Sequence, residues 1–187
     1  MTQTEPVTIS LEWTPNPNTI KLLTNRQLIP KGAVNFTSVA STEPSPLGKR
    51  LFSIPGVIGV MLGTNFVTLT KSEEGDWIEL HRLAVEGLND HLSKGLPAYE
   101  GEIPEAPKNE NETEEVAAIR GILDAEIRPA VAMDGGDITF ERYEDGVLYL
   151  HMKGACSGCP SSTATLRMGI ETRIREAIPT LKEVVSV

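Results

Sequence analysis

The sequence predicts an α/β (α+β) protein: two small mixed domains joined by an acidic, Pro-rich linker. Three observations predict it. The chain has 187 residues, enough for two small domains. Its apolar residues alternate at period two in some segments and recur at helical spacing in others. Residues 95–113, GLPAYEGEIPEAPKNENET, follow neither period and carry three prolines and five Glu against one Lys. That is the composition of a flexible tether. The expected division is therefore 1–94, 95–113 and 114–187. Net charge is −9, split as −1, −4 and −4 over those segments.

The elements follow in order. Val7, Ile9, Leu11 and Trp13 alternate as one face of a strand. Thr14 to Asn18, TPNPN, is a turn cluster, and Thr19 to Thr24 is extended again. Ser45-Pro46 starts a helix with Leu47, Leu51 and Phe52 on one face, stopped by Pro55. Val57–Leu62 and Phe66–Thr70 form a hairpin around Gly63-Thr64-Asn65. Asp76 caps a long helix whose apolar stripe is Trp77, His81, Ala84, Val85, Leu88 and Leu92, ended by Gly95.

In the C-terminal part, Val116, Ile119, Ile122, Leu123 and Ile127 keep helical spacing until Pro129 perturbs it. Asp134-Gly135-Gly136 is a turn. Ile138 and Phe140 alternate on a strand, Glu144-Asp145-Gly146 is a tight turn, and Leu148, Leu150 and Met152 resume the alternation. Pro160 opens a helix with Leu166, Ile170, Ile174, Ala177 and Ile178 buried. Lys182 to Val187 is a final strand. The order is α-β-β-α-β, and its last crossover is expected to be a right-handed β-α-β unit.

Composition excludes several functions. An acidic chain lacks the basic stripe of a nucleic-acid binder. The longest uncharged stretch, Leu51 to Thr70, is broken by Pro55, Gly56, Gly59 and Gly63, so no membrane partner is expected. No Lys or Arg precedes Lys21, so the start has neither secretory nor transit character, and the expectation is a reducing cytoplasm. Gly56, Gly59 and Gly63 miss the G-x-G-x-x-G spacing, Glu43 stands where a P-loop before Gly48-Lys49 needs glycine, and G-x-S-x-G is absent.

The chemistry rests on Cys156-Ser157-Gly158-Cys159, the only two cysteines. Two thiols at this spacing can converge on one metal, and the small residues Gly154, Ala155, Ser157 and Gly158 let backbone N–H groups approach sulfur. Cys159 stands just before a helix start, where the dipole favours a thiolate by roughly 0.3–2 kcal/mol. A thiolate is both a metal ligand and a nucleophile, so a metal site and a redox dithiol both remain open. A C-x-x-C pair after a strand and before a helix suits redox chemistry, though a short α-β-β-α-β domain is not a thioredoxin-like body. Iron–sulfur clusters and structural zinc both want four ligands, and one chain offers two thiols. The simplest completion is a symmetric dimer with the group on its two-fold axis.

Other residues have plainer roles. His151 precedes Cys156 by five residues and shares a strand face with Val147 and Tyr149, so it is expected to be an ordinary strand histidine. His81 and His91 are expected to pack or face solvent. Asp134, Asp137 and Glu141 read as turn and strand carboxylates rather than an acid–base pair. Met168 lies off the buried helix stripe, exposed or beside a dimer contact. Pro15-Asn16-Pro17-Asn18 is expected to be a shaped turn.

MDGGDITF (133–140) followed by GACSGCPSSTATLRMGIETRIREAIP (154–179) resembles the C-terminal domain of NifU, the Nfu-type iron–sulfur domain. TPNPNTIKL (14–22) and SPLGKRLFSIPGV (45–57) resemble the N-terminal domain of Nfu proteins. The resemblance covers most of the chain except the tether. It implies a non-enzymatic scaffold or carrier that receives a [4Fe–4S] cluster from an upstream assembly scaffold, binds it between two subunits, and passes it to apo iron–sulfur proteins. It implies Cys156 and Cys159 as the cluster ligands and the N-terminal domain as the part that engages targets. Thiolate counting alone leaves [2Fe–2S] open. The alternative on the same residues is a thiol–disulfide oxidoreductase; a third is a zinc-bridged interaction module.

Overall fold

The computed structural model describes residues 5–103, 112–157 and 160–187, with backbone only at 160–162. It divides into two compact units, Met1–Ile103 and Pro104–Val187.

The first unit is a five-stranded antiparallel sheet with helices on one face. Its strands are β1 (Ile9–Trp13), β2 (Thr19–Thr24), β3 (Val34–Phe36), β4 (Val57–Leu62) and β5 (Phe66–Lys71), in the order β1-β2-β5-β4-β3. Period-two burial makes the core. Ile20 sits opposite Leu69, which sits opposite Val60, and all three are buried with Leu22, Leu62 and Val67. The turn before β2 is closed by Thr14, whose single hydroxyl hydrogen is shared between the Asn16 and Thr19 carbonyls, 2.9 and 2.8 Å from Oγ1.

Two helices cover that face. Helix α1 (Pro46–Phe52) begins after Ser45, whose Oγ accepts from the Gly48 N–H at 2.8 Å, and it buries Leu47 and Leu51. Helix α2 (Trp77–Ser93) is capped by Asp76 and buries Leu80, Ala84 and Leu88. Trp77 and His81, expected on the buried stripe, are only partly buried; the Trp77 indole donates to the Pro17 carbonyl at 3.1 Å. Strand β3 escaped the sequence reading because three residues are too few to show a period.

This unit runs past the expected limit at residue 94. Ala98 is buried in its core, and Tyr99 and Ile103 pack beside it. Ser45 Oγ donates to the Ala98 carbonyl at 2.7 Å, the Glu100 N–H reaches the Pro44 carbonyl at 2.8 Å, and buried His91 holds the Pro97 carbonyl at 3.0 Å. Residues 96–103 thus belong to the first unit, because their alanine, tyrosine and isoleucine fill gaps that no period announces. Most of the remaining expected linker, 104–111, lies outside the described residues.

The second unit has the expected α-β-β-α-β order with a divided first helix. Helix α3 (Glu114–Ile122) leads into a π-helical turn, Leu123–Ile127, and then helix α4 (Arg128–Met133). Pro129 follows directly on the π turn, in a helical run that continues from α3 into α4. Strands β6 (Gly136–Glu144) and β7 (Val147–Gly154) form a hairpin over Asp145-Gly146, both at positive φ. Helix α5 (Pro160–Ala177) leads to β8 (Glu183–Ser186), which lies parallel to β7. Ile119, Leu123, Ile138, Leu148, Leu150, Ile170, Ile174 and Val184 form the core.

Candidate metal centre

Cys156 lies where β7 turns out of the sheet. Three backbone bonds shape the loop. The Ala155 N–H donates to the Gly135 carbonyl at 3.1 Å, that of Cys156 to the Lys153 carbonyl at 3.4 Å, and that of Ser157 to the Gly154 carbonyl at 3.1 Å. From the start of α5, Thr163 Oγ1 donates to the Cys156 carbonyl at 3.1 Å. The loop is therefore tied to the turn before β6 on one side and to α5 on the other.

The sulfur has a place made for it. Cys156 is 7% exposed and packs in the apolar cluster of this unit. A Cβ added to Gly136 would stand 2.2 Å from Cys156 Sγ, so glycine is what leaves room for the thiol. Burial pushes the Cys156 thiol up to about 12, with the Asp134 and Asp137 carboxylates adding to the shift. In this arrangement the sulfur is a stowed, protonated thiol. To bind a metal it must release its proton.

Cys159, the other expected ligand, lies outside the described residues. The neighbouring charges are ordered. Asp137 is buried on the second residue of β6 and accepts from Arg128 Nε at 2.9 Å and Nη2 at 3.2 Å. Lys153, its partner across the ladder, is held below the usual lysine range by burial, with the Asp137 carboxylate opposing that shift and the Arg128 charge adding to it. The remaining histidine and carboxylate candidates do not form a ligand group with the sulfur. His151 is exposed, with Nε2 2.6 Å from Glu141 Oε2 and Nδ1 3.3 Å from the Val187 carbonyl. Asp134 sits exposed at the turn, and Met168 is 69% exposed on α5. Among the described residues no group of three or more His, Cys, Asp or Glu side chains is placed to hold a metal ion. The donor that is described, a cysteine sulfur, is the kind an iron–sulfur cluster takes.

Sequence reading missed Gly136, Arg128 and Thr163. The Asp-Gly-Gly run signalled a turn, but nothing in it said that a sulfur would occupy the space above its second glycine.

Two family models match the chain, one within each unit. The NifU-like domain matches residues 119–185, and the N-terminal domain of scaffold protein Nfu/NifU matches residues 9–95. The human NFU1 iron-sulfur cluster scaffold homolog, mitochondrial, is 37% identical over 178 residues, 94% of this chain and 70% of that protein. The chain belongs to the Nfu-type, NifU-like family. A Drosophila grimshawi NFU1 homolog is 38% identical over 94% of this chain and 60% of its own, and the Arabidopsis thaliana NifU-like protein 4, mitochondrial, is 38% identical over 94% and 64%. The chain thus spans 60–70% of the length of these Nfu relatives. A solution structure of a NifU-like protein from Saccharomyces cerevisiae aligns with a TM-score of 0.48 at 23% identity, over 55% of this chain and 92% of that one, too loose a match to carry an argument.

One expectation is overturned. The fly, human and plant relatives are all named mitochondrial, which points away from the cytoplasm. The cytoplasmic reading rested on the lack of basic residues before Lys21, and a sequence start carries no such weight.

Proposed function

We infer that this chain is an iron–sulfur cluster scaffold and carrier rather than an enzyme. The observation that carries the reading is a cysteine sulfur stowed over Gly136, at the head of a C-x-x-C loop inside a NifU-like domain. The named role of its relatives as iron–sulfur cluster scaffolds supports it.

Cys156 and Cys159 of two chains supply four thiolates to one [4Fe–4S] cluster, received from an upstream assembly scaffold and bridging a homodimer. The N-terminal domain (1–94, with 96–103 folded onto it) engages an apo-protein, and the remaining linker gives reach. At transfer each iron–sulfur bond to a carrier cysteine is replaced by one to a target cysteine. The target thiol's proton passes to the carrier thiolate, and no net oxidation or reduction occurs. The buried, protonated Cys156 has to lose its proton for thiol attack as it does for metal binding, so the preference over the oxidoreductase alternative rests on the NifU-like domain and the scaffold names of its relatives.

The test is iron, acid-labile sulfide and zinc per chain on protein purified without oxygen. About two iron and two sulfide per chain are expected, lost in Cys156→Ser and in Cys159→Ser. About one of each means a bridging [2Fe–2S], and no iron after anaerobic reconstitution overturns the reading. A cluster-loaded monomer overturns the shared site.

A further inference from the structure

The Cys156 resting place is built by two strands, and one ion pair ties the first of them down. Strand β6 starts with Gly136, whose missing Cβ makes room for the sulfur, and Asp137 follows directly. Arg128 takes both oxygens of Asp137 side-on, Nε to Oδ1 at 2.9 Å and Nη2 to Oδ2 at 3.2 Å. Its third nitrogen, Nη1, donates to Asp124 Oδ1 at 3.1 Å and so fixes the plane of the fork. Arg128 itself follows the π-helical turn and opens α4, which packs on β6. Single π turns inside helices are frequent at functional sites. Opposite, Gly136 pairs with Gly154 and Asp137 with Lys153, and the Lys153 carbonyl takes the Cys156 N–H.

We propose that Arg128 is a positioning residue for Cys156: through its fork on Asp137 it holds the start of β6 so that the space over Gly136 stays open to the sulfur. Its meaning for function rests on the reading of Cys156 as a cluster ligand; its test needs no cluster.

Charge and position predict opposite signs, which makes the test decisive. Removing the Arg128 cation leaves Asp137 less neutralised beside the thiol, with Lys153 across the ladder as its remaining described cation. By charge alone that disfavours the thiolate and repels an anionic reagent, so the sulfur reacts more slowly. If the fork holds the cradle, its loss releases the sulfur and the reaction quickens. The measurement is the rate at which the full-length apo-protein, in a Cys159→Ser background, reacts with dithionitrobenzoate. Arg128→Gln is expected to react about tenfold faster or more. Arg128→Lys keeps the charge, loses the fork, and is expected to fall between. Val184→Ala, on β8 in the same core, serves as a control of comparable lost stability. A rate for Arg128→Gln at or below wild type, or no higher than that of Val184→Ala at equal stability, overturns the proposal. If Arg128→Gln does not fold, Arg128→Lys decides alone, since charge predicts no change for it. Iron uptake by the unmutated protein is scored separately. Its failure removes the cluster reading and leaves the thiol result standing.

Discussion

Gly136→Ala is the sharpest test of the stowed thiol. The added Cβ would lie 2.2 Å from Cys156 Sγ and 3.2 Å from both Cys156 Cβ and the Lys153 carbonyl oxygen. Ordinary contact needs about 3.5 Å, so the sulfur has to retreat by about 1.3 Å. Gly136 is not among the residues at positive φ, so alanine meets no backbone penalty and the effect is steric alone. Strand β6 cannot easily yield, because Asp137 is pinned to Arg128 and Gly136 is in register with Gly154. The thiol must swing out instead. Overpacking of this kind costs about 1–3 kcal/mol. Urea unfolding followed by far-UV circular dichroism should show that loss in the second unit. The apo-protein with Cys159→Ser should also react faster with dithionitrobenzoate, since the sulfur is now outside the core. An alanine variant with unchanged stability and an unchanged thiol rate would refute the argument that Gly136 houses the sulfur.

Three further outcomes are expected. Ser45→Ala removes both the cap of α1 and the donor to the Ala98 carbonyl at a fully buried site, so the first unit should lose about 1–3 kcal/mol in denaturant unfolding, with residues 96–103 becoming more susceptible to protease. Gly121→Ala in α3 and Gly169→Ala in α5 face open space inside helices, and each should stabilise the second unit by about 0.5–1 kcal/mol in the same assay. His151→Gln should leave iron and sulfide per chain unchanged, because His151 is exposed and already paired with Glu141 and the Val187 carbonyl; a loss of iron would make it a ligand.

What the sequence disclosed follows from how local each signal is. Helix caps at Ser45 and Asp76, the alternation in β2, β5, β6 and β7, and the Asp145-Gly146 turn are all set by residues within a few positions of one another, and all were legible. Strand β3 and the packing of Ala98, Tyr99 and Ile103 depend on distant surfaces, so no local pattern marks them. Pro129 signalled a disturbance but not its kind: the helix continues through a π turn that sets Arg128 against Asp137. The cysteine pair was legible as chemistry, whereas the raised thiol pKa was not. It arises from burial and from Asp134 and Asp137, more than eighteen residues upstream of Cys156. Helix-dipole reasoning applied to Cys159 gives no hint of it.

The stowed position also bears on the direction of transfer under the proposed function. Exchanging a carrier thiolate for a target thiolate is nearly balanced, since one iron–sulfur bond replaces another. A carrier sulfur that then returns to a dry resting place tips the exchange toward release. Burying a group the size of a methylene is worth about 0.8 kcal/mol, roughly a fourfold change in an equilibrium. Gly136→Ala takes that resting place away. At equilibrium with a competing chelator, a loaded Gly136→Ala dimer should therefore retain its iron up to about fourfold better than wild type, even though its apo form is less stable. General destabilisation predicts the opposite sign, so weaker retention by the alanine variant would show that the stowed thiol plays no part in delivery.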